Sequence, residues 1–131
     1  MITKDLGVWI DHSSADFIDL YDQKNNHTIT SKFTNNVKQD ALHRNENLMH
    51  NKENQLHEAY YKNIAEALLK YDRVLLFGPT LAKVELHNYL NKDSHFKDIK
   101  IDIETADKMT TNEKHAFVKD HFDKKSNYVF S

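Results

Sequence analysis

Apolar positions in this chain follow two regimes. Up to Phe33 they come in short runs of strand length, and beyond Asn54 helix-spaced and strand-like runs alternate. Leu6-Gly7-Val8-Trp9-Ile10 is a compact apolar run that predicts a first, central strand. Asp11-His12-Ser13-Ser14 reads as a turn, because Asp and Ser side chains bond readily to neighbouring backbone. Residues 15–21 form the second strand, with Ala15, Phe17 and Leu20 expected inside. Ile18 beside Phe17 breaks the alternation and calls either for cover on both faces or for a bulge. A polar turn at 22–26 leads to a third strand from His27 to Phe33, whose Thr content and Lys32 suit a sheet edge.

Residues 34–53 lack apolar periodicity and are rich in Asn, His and Lys. Leu42, Leu48 and Met49 are their only sizeable aliphatic side chains, so the segment is expected to be a mobile loop. Asn54 is the expected cap of a first helix, in which Leu56, Tyr60, Ile64, Ala67, Leu68 and Tyr71 recur at helical spacing. Arg73-Val74-Leu75-Leu76-Phe77 predicts a buried parallel strand. Gly78-Pro79 opens a second helix, with Pro near its first position and Leu81, Val84 and Leu90 on its inner side beside Tyr89. Ile99, Ile101 and Ile103 alternate as the next strand. Thr110-Thr111-Asn112-Glu113 fits a capping box for the third helix, packed down by Phe117, Val118 and Phe122. A polar stop at 123–127 leaves 123–131 as a tail that docks or stays free.

The order βββαβαβα predicts one α/β domain over residues 1–131, a mixed sheet with flanking helices and a core from about 6 to 122. With no Cys there is no disulfide framework or thiolate metal site, and no apolar run approaches the ~20 residues of a membrane span. The N-terminus lacks a signal-peptide core, so a cytoplasmic protein is expected. The formal charge of −2 argues against a general nucleic-acid coat and confines any RNA contact to a local patch. The 9 His residues would add positive charge below about pH 6.5.

An acidic residue ending the first strand is what a ribonuclease-H-like fold would carry. Asp11, with Glu104 and Asp107, gives an alternative reading as a metal-dependent nuclease or phosphotransfer enzyme. However, the buried strand ends Leu76-Phe77-Gly78-Pro79 without a carboxylate, and the simpler account is that Asp11 makes a turn. His43, His50 and His57 recur at intervals of seven but lack a convincing metal-ligand pair, so no metal or cofactor is expected. Gly78-Pro79-Thr80 is neither a Walker loop nor a dinucleotide fingerprint. The free N–H groups of the helix that follows, with Thr80 and Lys83, offer a possible phosphate or RNA-backbone contact, against the plainer reading of a tight turn.

Three stretches together, Gly7-Val8-Trp9-Ile10-Asp11-His12, Leu76-Phe77-Gly78-Pro79-Thr80-Leu81-Ala82-Lys83 and Glu104-Thr105-Ala106-Asp107-Lys108-Met109-Thr110, resemble a small bacterial family of translational machinery proteins. That family is similar to the central domain of the archaeo-eukaryotic peptide-chain release factor and to Pelota. The resemblance implies the mixed-sheet fold shared with certain ribosomal proteins. Release factors of this type carry a Gly-Gly-Gln tip on the long loop, whereas residues 34–53 contain no glycine, and Gln39 stands between Lys38 and Asp40. The expectation is therefore a non-enzymatic factor associated with the ribosome or structured RNA. Lys38, His43, Arg44, Asn45 and Lys52 are its candidate RNA contacts. A small interaction module, pairing a partner chain with the sheet edge between His27 and Phe33, is a third possibility.

Overall fold

The computed structural model describes residues 4–31 and 46–130, with side chains described in 4–31 and 57–124. Its elements are β1 (Asp5–Ile10), β2 (Ser14–Ile18), β3 (His27–Thr30), α1 (Glu46–Leu68), β4 (Arg73–Gly78), α2 (Ala82–Asn91), β5 (Lys100–Thr105) and α3 (Thr111–Phe130). Short 3-10 turns at Gln23–Asn25 and Ser94–Phe96 complete them. The five strands form one mixed sheet in the order β3-β2-β1-β4-β5. β2 runs antiparallel to both β1 and β3, and β4 lies parallel to β1 and β5.

Both faces of the sheet are covered, which explains the unbroken apolar runs of the central strands. Leu6, Val8 and Ile10 of β1 and Val74 and Leu76 of β4 point toward α1 and α2, where Tyr60, Ile64, Leu68, Leu86 and Leu90 meet them. Trp9, Leu75 and Phe77 point the other way, onto Val118 and Phe122 of α3. The Phe17-Ile18 pair resolves the same way: Phe17 packs on the α1–α2 side and Ile18 on the α3 side, so cover on both faces accounts for the broken alternation. Gly7 lets α3 approach, since a Cβ there would stand 2.2 Å from Val118 Cγ2. β3 and β5 are the two edges, as the composition of the third strand suggested.

Local signals read well where they were strong. Thr110 and Glu113 form the expected capping box, with Glu113 N–H donating to Thr110 Oγ1 at 3.2 Å and Thr110 N–H to Glu113 Oε1 at 3.0 Å. Three expectations need correction. α1 begins at Glu46 rather than near Asn54, so 46–53 of the expected loop is helical, while 34–45 lies outside the described residues. No Gly or Pro interrupts 46–53, and its charged and amide side chains tolerate a helix.

α3 likewise continues to Phe130 through the supposed polar stop, supported by an i,i+4 pair between Asp120 and Lys124 at 3.0 Å. The buried stripe of α2 is Ala82, Leu86 and Leu90, whereas Leu81 and Val84 are exposed. Pro79 lies in the turn ahead of this helix, and the entry angle of that turn selects the i, i+4 row that meets the sheet. Among the described residues, no helix is long and apolar enough to cross a membrane.

Candidate functional site

β1 and β4 end side by side, Trp9 opposite Phe77, and the chain leaves both strands at one edge of the sheet. After Ile10, the Asp11 carboxylate accepts the N–H groups of Ser13 and Ser14 at 2.7 and 2.8 Å, which fixes the hairpin turn. The Tyr60 hydroxyl of α1 donates to the Asp11 carbonyl at 3.0 Å and ties the turn to the helix layer. Held this way, His12 places Nε2 at 3.2 Å from both carboxylate oxygens of Glu85, which α2 supplies. Tyr61 of α1 donates its hydroxyl to Glu85 Oε1 at 2.7 Å. The His57 ring stands edge-on to His12 with centroids 5.8 Å apart, and it stacks toward Tyr61.

This cluster draws on the β1–β2 turn, α1 and α2, and its polar tips are open to water. The side chains of His12 and Glu85 are 40% and 46% exposed, respectively. Burial by itself would raise the Glu85 carboxyl, but hydrogen bonds from Tyr61 and His12 outweigh it and hold the group below its ordinary range. Burial pushes the Tyr60 and Tyr61 hydroxyls well above the usual tyrosine range, with Asp11 adding to the shift at Tyr60 and Glu85 at Tyr61. Both tyrosines therefore remain protonated donors at neutral pH. The arrangement is an imidazole oriented by a carboxylate that is itself oriented by a phenol. It can bind a polar group or exchange a proton at the strand-end edge where α/β sheets receive ligands.

The candidate residues from the sequence fall in different places. Lys38, His43, Arg44 and Asn45 lie outside the described residues, and Lys52 is in α1 with its side chain outside them. Thr80 lies in the turn that leads into α2, where its Oγ1 accepts the Ala82 N–H at 3.2 Å. Lys83 is corrected as an RNA contact: it is only 5% exposed, and its ammonium donates to the Thr80 carbonyl at 2.6 Å. A lysine folded back on its own helix entrance is not offered to a phosphate.

The three residues of the alternative reading meet separate partners. Asp11 holds its turn, Glu104 faces His121 Nδ1 at 3.3 Å, and the Asp107 carbonyl accepts Trp9 Nε1 at 3.3 Å. Among the described residues, no three His, Asp or Glu side chains converge as a metal site. Glu85 and Tyr61 had no signal in the sequence, because their partner His12 is 73 positions from Glu85. The chain matches no protein-family model, and no curated protein matches it.

Proposed function

We propose that this protein is a non-catalytic, cytoplasmic factor that associates with the ribosome or with structured RNA through the strand-end edge described above. The observation that carries the reading is the hydrogen bond from Ser31 N–H to the Ser13 carbonyl at 2.8 Å. It anchors the start of the Lys-, His- and Asn-rich segment next to the turn that bears His12. The segment then returns into α1, the helix that supplies His57, Tyr60 and Tyr61 to the same edge. Lys38, His43, Arg44 and Asn45 lie in sequence between Ser31 and α1, and cationic and amide side chains of this kind serve phosphate and base contacts.

The fold reading that accompanies this is the ribonuclease-H-like arrangement of translational machinery components. It is supported by the order of three strands, then helix and strand in alternation, and by β2 lying antiparallel between β1 and β3. Peptide release is left out because the two glycines of the chain, Gly7 and Gly78, both lie in strands and not in the connection. The test is sucrose-gradient sedimentation of lysate from the native cell, growing and starved. Migration with ribosomal particles, reduced when Lys38, Arg44 and Lys52 are replaced by Glu, is the expected result. Protein that remains at the top of every gradient, and that captures no RNA on affinity purification, overturns the reading.

A further inference from the structure

At the opposite edge, where β1 and β4 begin and β2 ends, a cleft of about 320 Å³ opens beside Tyr71. Its acidic floor is engaged from within. Asp5 accepts two parallel bonds from Arg73, Nε at 2.7 Å and Nη2 at 2.6 Å. Asp19 accepts four: Tyr21 N–H at 2.9 Å, Asp22 N–H at 3.0 Å, Asn25 Nδ2 at 3.0 Å and Tyr71 hydroxyl at 2.8 Å. Asp22 accepts the Lys24 N–H at 3.1 Å and caps the short 3-10 turn. Asp19 thus has its acceptor capacity filled by protein donors, and the Asp5 charge is matched by Arg73; Asp22 alone keeps most of its capacity.

The basic side chains of the same cleft are in the opposite condition. Lys4 and Lys70 line it, and neither ammonium is ion-paired among the described residues; the nearby Asp72 takes the Lys4 backbone N–H instead. Tyr21 lines the same cleft and is 71% exposed, the most exposed large hydrophobic side chain described. An open aromatic ring beside two unengaged ammonium groups suits a ligand that is flat at one end and anionic at the other. The volume lies at the low end of small-ligand clefts, ~300–1,000 Å³, which accommodates a single nucleotide and not a duplex. We propose that this cleft binds a nucleoside phosphate, with its base against the Tyr21 ring and its phosphate between Lys4 and Lys70. The same chemistry is carried by an unpaired nucleotide of an RNA strand and by a free nucleotide. The site stands across the sheet from the His12 edge, so it does not depend on the ribosome reading.

The test uses the full chain and two probes, a short dye-labelled single-stranded RNA followed by anisotropy and adenosine monophosphate followed by equilibrium dialysis. Saturable binding of either probe is expected. Binding of the RNA alone identifies a strand as the source, and binding of the monophosphate identifies a free nucleotide. Tyr21→Ala should weaken binding about ten-fold and Tyr21→Phe should restore it, since stacking needs the ring and not the hydroxyl. Lys4→Gln combined with Lys70→Gln should weaken binding and flatten its salt dependence. All three side chains are on the rim, and an unchanged circular dichroism spectrum and melting temperature verify that the variants fold. Absence of binding to both probes overturns the proposal, and so does RNA binding that Tyr21→Ala and the double lysine variant leave unchanged. Failure to sediment with ribosomes would leave it standing.

Discussion

The two ends of the central strands hold their charges in opposite ways. Where β1 and β4 begin, the Asp5 side chain is 4% exposed and grips an Arg73 that is 19% exposed. Where they end, His12 and Glu85 meet at 40% and 46% exposure. A pair open to water adds ~0–1 kcal/mol, because solvent screens it and two side chains must be ordered. A pair out of water is different: removing one partner strands the other charge. At the strand starts the charged pair is therefore enclosed, and at the strand finishes the acid and the imidazole stand open to water. The difference follows from cover. Phe122 lies under the Arg73 guanidinium, 5.1 Å from ring centroid to Cζ, whereas the His12 turn projects past the last strand residue.

The sharpest way to break this contrast is Arg73→Ala, which leaves Asp5 buried without its partner and should cost about 3–5 kcal/mol in urea unfolding. His12→Ala, measured the same way, should cost less than about 1 kcal/mol. A comparable loss in both would end the distinction between the two ends.

Gly78→Ala comes next and strikes the finishing end through its backbone. Gly78 has φ +154° and a Cβ there would stand 2.2 Å from the Ile10 carbonyl oxygen. The substitution should cost about 2–3 kcal/mol by strain and overpacking, and it should perturb the His12 resonances, which lie just beyond Ile10. Tyr71→Phe removes one donor from Asp19 and should cost about 1.5–2 kcal/mol, with no change at the other end.

The smallest effect is in pH dependence. Burial pushes the Asp19 carboxyl up, but hydrogen bonds from Asn25, Tyr71 and the Tyr21 and Asp22 backbone hold it below its ordinary range; Glu85 is lowered as well. Carboxyls lowered by folding contribute stability above their unfolded pKa, and that contribution disappears as the pH falls through the folded value. Stability should therefore decline between roughly pH 5 and pH 2, and Glu85→Gln should remove a small part of the slope. Asp19→Asn should remove a larger part, since its group is more enclosed. Equal flattening by the two variants would place the two carboxyls in the same environment and contradict the contrast.

Much of the architecture was legible along the chain because its causes are local. The β4 run is continuous because both faces of that strand are buried. The Ile101-Ile103 alternation marks a strand with one face packed, and the Thr110–Glu113 box reports hydrogen bonds within a single turn. The helix limits were less legible, since 46–53 and 123–130 carry no breaker and no apolar stripe, and polar helix and polar loop look alike in composition. The inner face of α2 was decided by the turn at Gly78-Pro79-Thr80, which rotates Ala82 inward, Leu81 outward and Lys83 back onto Thr80.

The sequence by itself determined the order of elements and the double-sided core, through periodicities that operate over a few residues. Only the tertiary structure decided which polar and charged groups meet. Asp5 with Arg73, Asp19 with Tyr71 and His12 with Glu85 are joined across 68, 52 and 73 positions. Such pairings depend on the register of parallel strands and on which helix row faces the sheet, and no local pattern encodes either.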